Sequence, residues 1–275
     1  MRAQDDRVDN AKEQAGYLKL GEAHLYTVLH RVANPIARVL LVGPFASERH
    51  FSYTPWVRWA RFLANQQIEA LRFDYRGVGE STGIFEDMTF SDWGEDVEYL
   101  SKWLVTQSPH VPLVLHGLEL GALLANKIFE TGVGDGLLLW SAPNNANEVL
   151  RSTLRRHVAV EHLSMEVSER KPVSEYARQL EAERTLEVDG YQWSGRLWRE
   201  SFSLELKVSE GDKVRAVGEC ERPVRLIKLD KREAPLAKGS ALGYVSVINP
   251  DLSGLFADNF DWIAKVAANS KVMLQ

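Results

Sequence analysis

The sequence predicts an α/β fold with a mostly parallel, doubly wound sheet. Short apolar runs alternate with amphipathic helical patterns, and parallel strands need this order because each crossover passes through a helix. A charged segment, 143–215, interrupts the alternation before it resumes. We expect this segment to be a helical cap over the carboxyl ends of the strands, where such sheets bind ligands.

Continuous apolar runs predict the buried strands. Ala37 to Val42 and Gly136 to Trp140 are the clearest, because both consist almost entirely of apolar residues. A leading hairpin is expected over Leu18 to Val32, with its turn near Gly21-Glu22. Further strands are predicted over Glu69 to Phe73, Pro112 to Leu115, Pro223 to Leu229 and Ala241 to Ile248.

Apolar residues that recur every three or four positions predict helices between these strands. Thr54 and Pro55 indicate where the first helix begins, since threonine caps helices and proline is tolerated at the first helical position. Asp189-Gly190 predicts a turn within the cap, and Ser194 predicts a helix cap. The other helices are expected from about Ser91 to Leu104, from Gly117 to Gly132 and around Phe256, Phe260, Ile263 and Ala267.

These patterns divide the chain into a core, a cap and a tail. We expect the core to comprise residues 17–142 and 216–275, the cap 143–215, and a flexible N-terminus residues 1–16. The net charge of -5 gives no electrostatic reason to expect nucleic acid as a partner. No apolar run approaches the about 20 residues that a membrane-spanning helix needs.

The single cysteine, Cys220, allows neither an internal disulfide nor a zinc site. The first residues carry mixed charges and lack the apolar stretch of a signal peptide. We therefore expect a cytoplasmic protein with no metal and no cofactor.

The first motif is the segment 73–81, Phe-Asp-Tyr-Arg-Gly-Val-Gly-Glu-Ser, directly after a predicted strand. Gly77 and Gly79 would allow a sharp turn there. Asp74 and Arg76 are expected to tie neighbouring loops together. The spacing differs from that of a phosphate-binding loop, so we predict a structural role.

The second motif is the segment 116–121, His-Gly-Leu-Glu-Leu-Gly. Its glycines are spaced as in the Gly-x-Ser-x-Gly elbow, a strained turn from strand to helix that presents a nucleophile. Glu119 stands where the serine would be. The oxyanion hole of such an elbow would use the N–H of Leu120 and that of Phe45, which follows Gly43 and Pro44.

Both motifs resemble those of α/β-hydrolases, including serine aminopeptidase-like and lysophospholipase-like enzymes. The resemblance implies the α/β-hydrolase fold and a triad in the order serine, acid and then histidine after the last strand. No histidine follows His162, although Asp230 to Glu233 could still supply the acid. Two of the three catalytic roles are therefore missing, which predicts the loss of Ser-His-Asp chemistry.

A narrower resemblance extends over roughly residues 37 to 265. The segments 43–48 (Gly-Pro-Phe-Ala-Ser-Glu), 137–140 (Leu-Leu-Leu-Trp) and 188–191 (Val-Asp-Gly-Tyr), with the helix of Trp93, look like those of the exosortase system-associated hydrolases, type 2. This resemblance implies a bacterial protein linked to loci for exopolysaccharide production and protein sorting.

Three functions remain open from the sequence. We favour a non-catalytic protein that binds a small acyl- or carbohydrate-linked ligand, or a protein partner, under its cap. The alternative is an unconventional esterase or thioesterase that uses Glu119 as its base. The third is an interaction scaffold, which an exposed apolar patch on residues 150–205 would favour.

We make a separate prediction for each of several other side chains. Glu119 lies at a helix N-terminus, which favours anions, so its carboxylate is expected to fill the oxyanion hole itself. His116 is expected to be a hydrogen-bonded core residue. Trp193 and Trp198 either pack in the cap or line a pocket. His157 and His162 are five residues apart and are not expected to hold a metal.

Overall fold

The computed structural model describes residues 13–44, 46, 48–215, 221–229 and 251–272. Its strands are β1 (Glu13–Leu20), β2 (Ala23–His30), β3 (Ala37–Val42), β4 (Ile68–Phe73), β5 (Leu113–Leu118), β6 (Gly136–Trp140), β7 (Leu186–Val188), β8 (Tyr191–Trp193), β9 (Lys213–Arg215) and β10 (Glu221–Ile227). Its helices are α1 (Glu48–Asn65), α2 (Phe90–Gln107), α3 (Leu120–Glu130), α4 (Ala146–Glu161), α5 (Val173–Glu181), α6 (Gly195–Glu200) and α7 (Ser253–Val272).

Eight of the described strands form one central sheet in the order β1-β2-β4-β3-β5-β6-β10-β9. The five strands from β4 to β10 in this order run parallel, whereas β1, β2 and β9 are antiparallel at the two edges. The mostly parallel sheet with flanking helices confirms the predicted fold class. It also brings the carboxyl ends of β3, β4, β5 and β6 to one edge.

The predicted strands are largely confirmed, with differences at their ends. β3 and β6 have the predicted bounds, and β5 continues three residues beyond Leu115. β1 begins at Glu13, earlier than the expected Leu18, because an edge strand pairs through its backbone and tolerates polar side chains. The predicted strand Ala241 to Ile248 lies outside the described residues.

The predicted start of the first helix is wrong. α1 begins at Glu48, and Pro55 lies inside it. An acidic residue in the first turn suits the positive end of the helix. The proline removes one backbone hydrogen bond, but the helix continues and buries Trp56, Trp59 and Leu63 against the sheet. The earlier start places residues 49–53 on a helix rather than in a loop.

Two apolar clusters cover the faces of the sheet. One contains α1 and α7, with Trp59, Leu63 and Ile263 at its centre. The other contains α2, α3 and the buried residues of the segment 143–215, including Trp193 and Trp198. The segment 143–215 is therefore packed into the same core as the helices beneath it.

The first and last parts of α6 join this segment to α2 and to the turn that precedes it. The N–H of Ser91, in the first turn of α2, donates to the Glu200 carboxylate at 2.8 Å, and Arg196 donates to the carbonyl of Asp87. Ser194 caps α6 as predicted, with its hydroxyl accepting from the N–H of Leu197. The predicted turn at Asp189-Gly190 joins β7 to β8.

Candidate functional site

Glu119 occupies the turn between β5 and α3 in a strained backbone conformation. Its φ is 53° and its ψ is -125°, a region that residues other than glycine rarely adopt. Its N–H donates to the carbonyl of Trp140, and its carbonyl accepts from the N–H of Ala122, both at 2.9 Å. The backbone therefore forms the elbow that the glycine spacing suggests.

The two elbow glycines fit where no other residue would. A Cβ on Gly117 would lie 2.3 Å from the Cα of Ala122, and one on Gly121 would lie 2.1 Å from the carbonyl oxygen of Gly43. Both distances are far below van der Waals contact. The elbow thus requires glycine at both positions, and it presses α3 against the loop after β3.

That loop is held from a second direction by Tyr75. The buried Tyr75 hydroxyl donates to the carbonyl of Gly43 at 2.9 Å, and burial raises the pKa of Tyr75 far above its usual range. Leu120, the first residue of α3, is buried beside this loop. Phe45, the other residue expected in the oxyanion hole, lies outside the described residues.

The side chain of Glu119 is partly buried, and its Oε2 is inaccessible to solvent. One solvent-inaccessible carboxylate oxygen is compatible with the hypothesis that the Glu119 side chain fills the oxyanion hole. Because Phe45 is not described, that hypothesis stays a prediction.

His116 is a core residue on β5, as predicted. Its Nδ1 accepts a hydrogen bond from the indole N–H of Trp59 at 2.9 Å. Its ring packs edge-on against Trp56 and Trp140. Burial lowers the pKa of His116 well below 6.5, so the ring is neutral. With Nδ1 already engaged, His116 cannot accept a proton there without losing this bond.

His157 and His162 lie in the segment 143–215, away from the elbow. His157 pairs with Asp189 in the segment 143–215, with Nδ1 and Oδ1 3.1 Å apart, and His162 ends α4. Among the described residues, no group of three or more His, Cys, Asp or Glu is arranged to hold a metal ion. Trp193 and Trp198 are almost fully buried in the core.

Asp74 holds the loop 73–81 against α1. Its carboxylate forms an ion pair with Arg49 and accepts from the N–H of Glu80. Gly79 has a φ of +59°, and a Cβ there would lie 2.1 Å from Asp74 Oδ2. Only glycine therefore lets the chain pass this close to the carboxylate.

Arg76 holds the same loop against α2. Its Nε donates to Oδ1 of Asp96 at 2.6 Å, and its backbone N–H donates to Oδ2 at 2.9 Å. Burial raises the pKa of Asp96 to about 6, although the contacts with Arg76 oppose this rise. Gly77, at a φ of +72°, would place a Cβ 2.8 Å from the N–H nitrogen of Phe85.

A cleft that the sequence did not indicate opens beside the elbow, between α1 and the face of β2 and β4. It is open to solvent and has a cavity volume of about 30 Å³. Gly43 and Pro44 line it from the loop after β3, Arg49, Tyr53 and Trp56 from α1, and Arg72 from β4. The one sequence signal was Arg72, a cation in the otherwise mostly apolar strand Ile68–Phe73.

Among known proteins, the chain is similar to several solved structures. No protein-family model matches the sequence, and no curated protein matches it. Est1E from Butyrivibrio proteoclasticus, solved with bound ferulic acid, matches with a TM-score of 0.51 and 18% identity, covering 70% of this chain and 72% of Est1E. Mouse α/β hydrolase domain-containing protein 10 matches with a TM-score of 0.50 and 18% identity, covering 78% of this chain and 77% of the mouse protein.

At such low identity the two likenesses concern the fold and not the activity. No described helix is both long enough and apolar enough to cross a membrane. The sheet order, the flanking helices and the two solved structures together show that this chain has the α/β-hydrolase fold.

Proposed function

We propose that this chain is a non-catalytic protein of the α/β-hydrolase fold that binds a small molecule or a protein partner. One observation carries the proposal. The elbow backbone is formed at Glu119, yet a carboxylate replaces the nucleophilic hydroxyl, and no histidine occurs after His162. The backbone turn that presents a nucleophile is therefore formed without the serine and the histidine that would perform the chemistry.

The physical argument concerns charge and proton transfer. A serine at the elbow needs a histidine to take its proton, and a carboxylate nucleophile needs one to activate water against the ester intermediate. A negative charge at Glu119 also repels the oxyanion that forms during acyl transfer. The N-terminus of α3 favours that negative charge.

The proposal includes a narrower family and setting. We propose that the chain is an exosortase system-associated hydrolase of type 2, a bacterial and cytoplasmic protein linked to exopolysaccharide production or protein sorting. Support comes from the segments 43–48 and 188–191 and from the lone cysteine of the sequence.

Turnover of nitrophenyl esters and thioesters of short and long chains tests the proposal. We expect no turnover above the buffer rate for the wild type, Glu119→Ala and Glu119→Ser, since serine alone restores only one of the missing groups. Turnover by the wild type that disappears in Glu119→Ala would overturn the proposal. The alternative, an esterase or thioesterase that uses Glu119 as its base, would then be correct.

A second candidate is protein binding through the segment 143–215. Three apolar side chains at the end of α4 and just beyond it are exposed, Val160 by 61%, Leu163 by 84% and Val167 by 74%. Exposed apolar side chains favour association, and a second copy of the chain is the first partner to test. Sedimentation of the wild type and of Leu163→Ser tests this candidate, which fails if the wild type stays monomeric at high concentration.

A further inference from the structure

Arg72 brings a positive charge to the cleft between α1 and β4, where it also interacts electrostatically with Glu13. Its Nε donates to Nε2 of His30 at 3.0 Å. Burial, together with the charge of Arg72, lowers the pKa of His30 to about 4, so His30 is neutral near pH 7. Glu13 approaches the other ring nitrogen of His30 and forms its ion pair with Arg61. Among the described residues, no carboxylate forms an ion pair with Arg72.

A second arginine, Arg49, lies in the same cleft, and the ring of Tyr53 lies against both arginines. The guanidinium carbons of Arg49 and Arg72 lie 6.0 Å and 5.9 Å from the centre of the Tyr53 ring. Both distances lie at the outer limit of a cation–π contact with the face of the ring. Asp74 neutralises Arg49, so the charged groups lining the cleft leave one positive charge in excess.

The rest of the lining is largely apolar and aromatic. Val28, Trp56, Phe73 and Val78 contribute to the walls, and the ring of Tyr53 is half exposed at the mouth. The cavity volume of about 30 Å³ is small, so the body of a ligand would lie at the open mouth beside Tyr53. A ligand that fits this surface has an aromatic or short acyl body in addition to its charge.

The charge balance selects the kind of anion. A guanidinium presents two parallel N–H groups that match a carboxylate or a phosphate. With one positive charge in excess, the cleft lining neutralises a monoanion, whereas a dianion would keep one uncompensated charge. A carboxylate is therefore the better match.

From these observations we propose that the cleft binds a small organic carboxylate with an aromatic or short acyl body. Arg72 binds the carboxylate, and Tyr53 packs against the body. This inference names the ligand class for the binding role proposed above and rests on that role. It does not involve Glu119, which is not among the residues that line the cleft.

The first experiment compares matched pairs of ligands on the intact chain by calorimetry. Benzoate and hexanoate are titrated beside benzamide and hexanamide, their neutral counterparts, and inorganic phosphate, at a pH high enough for it to be mainly the dianion, is the doubly charged comparison. We expect each carboxylate to bind about tenfold or more tightly than its amide, and binding to weaken with added salt. Equal binding of acid and amide, or no detectable binding of any carboxylate, would overturn the proposal, as would tighter binding of phosphate.

Variants of Arg72 locate the site. Arg72→Met should weaken benzoate binding about tenfold or more, and Arg72→Lys, which keeps the charge without the planar fork, should weaken it less. Arg178→Met, on an exposed face of α5, changes the net charge equally and should bind like the wild type. Equal losses in Arg178→Met and Arg72→Met would show nonspecific attraction and contradict the proposal. Should Arg72→Met fail to fold, Arg72→Lys and the acid–amide pairs still decide the question.

Glu119→Ala separates this inference from the proposed function. We expect this variant to bind benzoate like the wild type, because Glu119 lies outside the cleft lining. Ester turnover that depends on Glu119 would overturn the non-catalytic role without affecting the carboxylate site. Loss of benzoate binding in Glu119→Ala would instead overturn the placement of the site in this cleft.

Discussion

The elbow and the neighbouring cleft are built from different parts of the chain. Backbone contacts fix the elbow, where Gly117 and Gly121 leave no room for a Cβ and the side chain at position 119 takes no part in these contacts. Side chains create the cleft, through the ion pair of Arg49 and the hydrogen bond of Arg72 to His30. The elbow backbone can therefore form with a glutamate at its central position, whereas one substitution would remove the excess charge of the cleft.

The strongest test of this comparison is Gly121→Ala. The added Cβ would meet the Gly43 carbonyl at 2.1 Å, and rigid backbone on both sides cannot yield easily. We expect the free energy of unfolding, measured by urea denaturation, to fall by about 3 kcal/mol, the upper end of the range for overpacked cores. Gly254→Ala is the matched control, because nothing lies within 4 Å of its Cβ on α7. A loss below about 1 kcal/mol in Gly121→Ala would show that the elbow is not fixed by this contact.

The sequence predicted the elbow better than the cleft for a physical reason. The elbow is a local motif of six residues, so its glycine spacing is visible along the chain. The cleft joins α1 to β4, and the Thr54-Pro55 pattern hid the helical position of Arg49 and Tyr53. β3 and β6 were predictable because both faces of each strand are covered, which demands apolar residues throughout.

The next test concerns His30, which belongs to the cleft. Its pKa is lowered from 6.5 to about 4 in the folded protein, so the unfolded chain takes up a proton first as the pH falls. The resulting stability is present above pH 6.5 and is lost as the pH falls through about 4. Between pH 7 and pH 4, we expect the wild type to lose roughly 2 to 3 kcal/mol more stability than His30→Gln.

This comparison between two proteins cancels the contribution of Asp96. Because the pKa of Asp96 is raised to about 6, its contribution to stability has the opposite sign and decreases as the pH rises through about 6. Urea denaturation of both proteins at several pH values measures the difference. Parallel curves for the wild type and His30→Gln would contradict the assignment of His30 as a neutral acceptor for Arg72.

The smallest expected effect is at Glu119, where the backbone conformation suits glycine. Glu119→Gly should be more stable than Glu119→Ala by about 1 kcal/mol, because glycine adopts a φ of 53° and a ψ of -125° without strain. Thermal and urea unfolding of the two variants measures this difference, and both have lost the carboxylate. If Glu119→Ala is the more stable, the elbow conformation is not strained. The view that the backbone fixes the elbow, whereas side chains form the cleft, would then lose support.

The carbonyl of Gly43 has a consequence for redesign. It is contacted by the Tyr75 hydroxyl on one side, and Gly121 approaches it closely on the other, so three segments of the chain meet at one oxygen atom. An engineer who wished to install acyl-transfer chemistry on this scaffold would find the main chain around that atom already aligned. The turn that must present a serine would need no remodelling, because its backbone is already formed with glutamate at the central position.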